Sequence, residues 1–181
     1  MREPEWETVT EKELWEYIGF HLAQAGIDSV LVGGSVVSIY TEGAYVSGDL
    51  DFVQLDLKPW QLIEKIMLQL GFVKKTKHFT HPKCKHLAVE FGSFPLAIGE
   101  DFAIKPITKK YKTKTLKILS PTDCIKDRLA SYIYFQDRDC LDQAVLVAKR
   151  QKFKLASVKK WCFNEGGPAM DAFNEFKKLT Q

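Results

Sequence analysis

Ser47-Gly48-Asp49-Leu50-Asp51-Phe52-Val53 holds two carboxylates two residues apart, with large apolar side chains between and after them. On an extended strand, residues at that spacing point to one face with roughly 6.5–7 Å between their backbones. Asp49 and Asp51 would project together while Leu50 and Phe52 anchor the opposite face in a core. Two like charges on one face repel unless a cation or a shared proton relieves them. Hard divalent ions with oxygen ligands meet that need, and two such ions can clamp the attacking and leaving oxygens of a phosphoryl transfer. The plainer alternative is two solvated aspartates at the exposed end of a strand.

A third acid lies in His86-Leu87-Ala88-Val89-Glu90-Phe91. Leu87, Val89 and Phe91 alternate with Ala88 and Glu90, so Glu90 falls on the opposite face from the large apolar residues. A carboxylate in such a strand needs a partner. It could ligate a metal, take a proton from an attacking hydroxyl, or pair with one of the many lysines. Upstream, Leu31-Val32-Gly33-Gly34-Ser35 reads as a strand entering a helix through two glycines. Backbone N–H groups at such a turn suit a phosphate, and a serine hydroxyl can donate to it. A Gly-Gly turn with a serine cap also arises for structural reasons alone.

His78, His81, Cys84 and His86 lie close together, flanked by Lys75, Lys77, Lys83 and Lys85 and broken by Pro82. Imidazole and thiolate ligands this near one another could bind zinc, although the spacing matches no standard finger. A basic loop touching phosphate and an ordinary surface turn are the competing readings. Phe94 to Glu100 reads as an apolar turn that packs between strands.

These residues need elements to hold them. Thr10-x-x-Glu13 is a capping box opening a helix whose stripe is Leu14, Ile18, Leu22 and Ala25, with Gly26 as its stop. Ser29–Val32 and Leu50–Leu57 read as strands, Ser35–Tyr40 as a short helix, and Pro59 starts a helix that ends at Gly71. From there to Leu119 the pattern turns to short strands at 72–76, 86–91, 101–107 and 115–118. Ser120-Pro121-Thr122-Asp123 then caps a helix carrying Ile125, Leu129, Tyr132 and Ile133. A further helix is expected at 139–150, and two more are separated by Gly166-Gly167-Pro168.

The 181 residues suffice for one domain, and the 45% apolar and 27% charged residues exclude a disordered or fibrous chain. No apolar run reaches the ~18 residues of a membrane span, and the first residues have no apolar signal core. The four cysteines form no Cys-x-x-Cys pair and read as reduced thiols of a cytoplasmic protein. The net charge of +3 conceals an asymmetry. Residues 1–73 carry four basic and twelve acidic side chains, whereas 74–117 carry eleven lysines and three acids. That run could meet a polyanion, or it could keep exposed strand edges from pairing.

Taken in order, Gly33-Gly34-Ser35, a short helix, Asp49-x-Asp51 on the next strand and a later acid at Glu90 resemble the DNA polymerase β-type nucleotidyltransferase superfamily. The resemblance is to its small bacterial members, including the abortive-infection nucleotidyltransferase toxins. It extends to Lys126 in Asp123-Cys124-Ile125-Lys126-Asp127-Arg128-Leu129, which matches a third motif, and to Arg138 and Asp142 of an Arg-x-x-x-Asp fourth motif. It covers residues 10 to 150.

The resemblance implies an α+β fold: a nucleotidyltransferase-like mixed β-sheet flanked by helices (1–119), followed by a helical C-terminal part (120–181) packed on that core. It implies that Gly33, Gly34 and Ser35 bind a nucleoside triphosphate such as ATP. Asp49 and Asp51 would hold magnesium, or manganese in its place, with Glu90 as a third carboxylate. Lys126 would contact phosphate and Asp142 would orient Lys126 or the substrate; a helical lysine reaching into solvent is the alternative. The implied activity is magnesium-dependent transfer of a nucleoside monophosphate to RNA, protein or a small molecule, with release of pyrophosphate. A catalytically inactive nucleotide- or nucleic-acid-binding module, or a toxin–antitoxin component, is the alternative; no membrane partner is expected. Two departures stand out: Glu90 is a glutamate where many relatives carry aspartate, and no feature that would read a nucleobase is apparent.

Overall fold

The computed structural model describes residues 2–92 and 94–181. Helix α1 (Glu11–Gln24) leads into strand β1 (Ser29–Val32), short helix α2 (Gly34–Tyr40), β2 (Asp49–Gln54) and α3 (Trp60–Gln69). Strands β3 (Val73–Lys74), β4 (His78–His81), β5 (Cys84–Gly92), β6 (Ile107–Tyr111) and β7 (Lys114–Ile118) follow. Helices α4 (Pro121–Phe135), α5 (Arg138–Arg150), α6 (Leu155–Glu165) and α7 (Ala169–Thr180) complete the chain. The strands form one seven-stranded sheet in the order β3-β4-β5-β2-β1-β7-β6. β2 runs parallel to β5 and β1 parallel to β7, and the other pairings are antiparallel. The fold is α+β with a mixed sheet, as expected.

The caps act as the sequence predicts. Thr10 accepts from the Glu13 N–H while the Glu13 carboxylate accepts from the Thr10 N–H, closing both ends of the box. Leu14, Trp15, Ile18 and Leu22 of α1 are buried in one stripe. Ser120 accepts from the Asp123 N–H at 3.1 Å, and Pro121 takes the first position of α4, where its missing N–H costs no bond. In β2, Leu50 and Phe52 are buried, and Phe52 stacks on Phe91 of β5 with ring centroids 5.4 Å apart. Trp60 of α3 closes over Phe79 and Phe91, which places α3 on this apolar face. Burying a side chain such as Phe52 contributes about 1.5–3 kcal/mol. One continuous cluster of buried residues runs from Trp6 to Phe176, so the sheet and the C-terminal helices share a core.

Two expectations change. The strand foreseen at 101–107 is absent: Asp101 turns back on Ile98 through paired backbone hydrogen bonds, and β6 begins only after Pro106. Proline has no N–H for a ladder, so the strand starts beyond it. The histidine-rich segment read as a loop is a hairpin, β4–β5, turning at Pro82 and Lys83. Its driving force is Phe79, which is buried beside Leu87 and Val89. The hairpin also divides the basic run: Lys74, Lys75, Lys77, Lys83 and Lys85 lie towards one end of the sheet, and Lys109, Lys110, Lys112, Lys114 and Lys117 at the other. Among the described residues no helix is long and apolar enough to cross a membrane.

Candidate active site

Register brings the three acids together. In the parallel pair β2–β5, Asp49 lies opposite Ala88 and Asp51 opposite Glu90. Residues directly opposite share a face, so Asp51 and Glu90 project side by side, with Asp49 next along β2. Small Ala88 leaves room beside Asp49. The same register puts Leu50 against Val89 and Phe52 against Phe91 on the apolar side. A slip of one residue would drive every carboxylate into the core, which makes the pairing strongly specified.

The electrostatics follow from that placement. Burial, then the charges of Asp49 and Glu90, push the Asp51 carboxyl up to about 7; Arg128 pulls it down and Asp127 pushes it up again. Asp49 is fixed from two sides. Its Oδ1 accepts from Ser47 Oγ at 2.9 Å, and its backbone carbonyl accepts from Ser35 Oγ. Ser47 is tied in turn by its N–H to Glu11 Oε1 at 2.8 Å. Glu90 lies half exposed, with His78 Nδ1 at 4.0 Å across the β4–β5 pair.

The glycine turn has a spatial explanation. A Cβ at Gly33 would overlap Asp51 Oδ2, and φ there is +74°. A Cβ at Gly34 would stand 2.8 Å from Ser47 Oγ and 3.3 Å from Tyr45 Oη. The turn is therefore pressed against Asp51 and against Ser47, which holds Asp49. Ser35 is wholly buried, with its hydroxyl committed to Asp49.

The remaining expected residues lie elsewhere. Lys126 is 7% exposed, and its ammonium donates to Asp123 Oδ1 at 2.9 Å with Asp101 Oδ2 at 4.0 Å. It lines a separate cavity of about 390 Å³ with Asp101, Ser157, Lys160, Trp161 and Asn164. Asp142 sits on the exposed side of α5, and among the described residues no hydrogen bond or ion pair joins it to Lys126. Arg138 pairs with Glu175 of α7.

Sequence reasoning passed over Asp127 and Arg128. Arg128 Nε and Nη2 donate to Asp127 Oδ2 at 3.0 and 2.7 Å, and Nη1 donates to Gln143 Oε1 at 3.4 Å. Its charge acts on both Asp51 and Tyr45. The signal lay in the helix period: Cys124 and Ile125 are buried, and Arg128 follows them by four and three residues on the same side.

The histidine cluster does not share a centre. His81 stacks on Trp6 with centroids 3.6 Å apart, His86 bonds the Val9 carbonyl, and His78 faces Glu90. His78 and His81 leave β4 on opposite faces. Among the described residues no group of three or more His, Cys, Asp or Glu side chains, the set of Asp49, Asp51 and Glu90 included, is arranged to hold a metal ion as it stands.

The chain is similar in structure to an antigenic nucleotidyltransferase-like protein from Paracoccidioides brasiliensis, with a TM-score of 0.64 over 95% of this chain and 89% of that one, at 14% identity. The fold is nucleotidyltransferase-like. No protein-family model and no curated protein matches the sequence. Within this nucleotidyltransferase-like fold, the carboxylates of β2 and β5 and the glycine turn before α2 form one neighbourhood, and the Lys126 cavity forms another.

Proposed function

We propose that the protein is a magnesium-dependent nucleotidyltransferase that moves a nucleoside monophosphate from a triphosphate such as ATP to an acceptor hydroxyl on RNA, protein or a small molecule, releasing pyrophosphate. The observation that carries this reading is the shared face of Asp49, Asp51 and Glu90 across β2 and β5, with Asp51 pushed up to about 7. Such a set is short of positive charge. Magnesium takes one or two carboxylates together with substrate phosphates and water, so an open set of acids suits it better than a closed cage. Asp49 and Asp51 would hold the ion, with Glu90 beside them; manganese could replace it. When bound, the ion would neutralise charge on the triphosphate.

The chain's own groups have defined tasks. Ser47 and Ser35 hold Asp49 in position. Gly33 keeps space open for the Asp51 carboxylate. Glu90, half exposed beside Asp51, would accept the proton of an attacking hydroxyl. The order of the motifs supports a place among the small bacterial enzymes that the abortive-infection toxins typify.

The test is transfer of label from α-phosphate-labelled triphosphates to total RNA or protein with magnesium present. Transfer is expected from the wild type and lost in Asp49→Ala and Asp51→Ala. Undiminished incorporation in both variants would reject the assigned metal site. Binding of RNA that is steeply salt-dependent, indifferent to magnesium and retained in both variants would favour the inactive binding module instead.

A further inference from the structure

We infer that an RNA strand is held by the basic surface where the β6–β7 hairpin meets the end of α5; the inference rests on the nucleotidyltransferase reading above and names the acceptor class of that site. Residues 102–122 and 143–164 each carry six basic residues and no acid. They are distant in the chain, and the fold joins them. Lys109 of β6 sets its ammonium 5.6 Å from the centre of the Tyr40 ring. From the other segment, Gln151 Nε2 donates to the Tyr40 carbonyl at 2.7 Å, and Arg150 donates to the Thr41 carbonyl. Lys12, Lys109 and Gln151 line one cavity of about 570 Å³ with Ser38, Tyr40 and Glu42. A second seam lies beyond β7, where the Lys154 N–H donates to Thr122 Oγ1 at 3.1 Å.

Most of this charge has no protein partner. Among the described residues, Lys117 is the one member of either segment in an ion pair, with Asp28 at 2.6 Å. Lys109, Lys112, Lys149, Arg150 and Lys152 are exposed. Of the neighbouring acids, Glu11 is committed to the Ser47 N–H and Glu13 to the Thr10 cap, which leaves Glu16 and Glu42. Lysines on an edge strand can keep it from pairing, and cations suit the last turn of a helix. Neither reason brings the two groups together or leaves both segments without an acid. A polyanion supplies the reason, because each phosphate neutralised by a lysine releases condensed counterions. Of the acceptor classes named for the transfer, RNA is the one that carries a charge at every unit.

The surface also lies near the acids. Helix α2 runs from Gly34, in the turn pressed against Asp51 and Ser47, to Tyr40 at the cavity, a rise of about 9 Å. Glu11, in the cavity wall, reaches Asp49 through Ser47. An RNA strand anchored there is one short helix away from Asp49 and Asp51.

The experiment measures binding of a fluorescent oligouridylate to the full chain over a range of salt, without triphosphate. The log–log salt slope should be about −3 to −5, as for four to seven phosphates. Lys109→Gln, Lys112→Gln, Lys149→Gln and Lys152→Gln together should weaken binding at least about tenfold and make the slope shallower by about 2–3. Lys109→Gln/Lys152→Gln carries the comparison if the quadruple variant does not fold. Lys75→Gln, Lys77→Gln, Lys83→Gln and Lys85→Gln together remove equal charge towards the other end of the sheet and should change binding less than about threefold.

Equal losses in the two quadruple variants would mean that net charge alone attracts RNA, and the inference is overturned. Wild-type binding to anionic lipid vesicles or polyglutamate at least as tight as to the oligouridylate also overturns it. If no RNA binds while label still moves to protein or a small molecule, the inference falls and the nucleotidyltransferase reading stands. RNA binding through this surface with no transfer to any acceptor supports the surface and rejects that reading; binding together with magnesium-dependent transfer upholds both.

Discussion

Gly33 and Asp51 fit together so closely that position 33 has no room for a side chain: a Cβ there would overlap the Asp51 carboxylate. The two meet at one end of the antiparallel β1–β2 pair, since Val32 lies opposite Asp51 and Gly33 is the next residue. Gly43 offers a control, with φ of +79° and nothing near its missing Cβ. Gly43→Ala should cost about 1–2 kcal/mol, the penalty of the left-handed conformation alone. Gly33→Ala should cost more and should displace Asp51, abolishing magnesium-dependent transfer. Urea unfolding of both variants, beside the transfer assay, makes the comparison; equal losses would show that crowding at Asp51 is unimportant.

Asp51 predicts how stability depends on pH. Its carboxyl is raised from an ordinary 3.8 to about 7, so the folded chain binds a proton that the unfolded chain releases. The resulting stabilisation is fully present below about pH 4, falls as pH rises through 4 to 7, and is gone above that window. In EDTA the wild type should be less stable at pH 8 than at pH 5, with this residue accounting for about 2–4 kcal/mol. Asp51→Asn should flatten the profile and exceed the wild type at pH 8. Magnesium at pH 8 should then raise the urea midpoint of the wild type only. A midpoint equally raised in Asp51→Asn would mean that the ion binds elsewhere.

Ser47 separates positioning from folding. Its backbone N–H is held by Glu11 and its hydroxyl by Asp49 Oδ1. Ser47→Ala keeps the first contact and removes the second, so the stability loss should be about 1 kcal/mol. Transfer should fall about tenfold as Asp49 loses its orientation, and at subsaturating magnesium the fall should be steeper. A variant with full activity at every magnesium concentration would show that Asp49 needs no support from Ser47.

The four cysteines are free and buried. Burial, the largest influence on each, raises the Cys140 thiol to about 11 and the Cys162 thiol to about 12, and raises Cys124 further. Thiolate is the reactive form, so a disulfide reagent at pH 8 should react slowly with Cys124, Cys140 and Cys162 in the native protein. All four should react promptly in denaturant. Rapid native labelling of Cys124 or Cys140 would contradict the packing of α4 against α5, where they lie.

What could be read from the chain was local. The Thr10/Glu13 box, the Ser120-Pro121 start and the alternation of Asp49, Leu50, Asp51 and Phe52 each depend on neighbours within a few residues. Helical and pleated periods convert such spacing directly into a face. Tertiary structure decided the rest. Glu90 reaches Asp51 only because β5 adds to β2 in one particular register, and ten of the eleven lysines of 74–117 separate into two groups because β2 and β1 come between the sheet's two ends. Lys126 and Arg128 show the limit most sharply. Both are basic residues on α4, yet Lys126 turns to Asp123 and the cavity against α6 while Arg128 turns to Cys140 and Gln143 of α5, because the burial of Cys124, Ile125 and Leu129 fixes how that helix is rotated. A side chain's type belongs to the chain, whereas the direction it faces is set by what its element packs against.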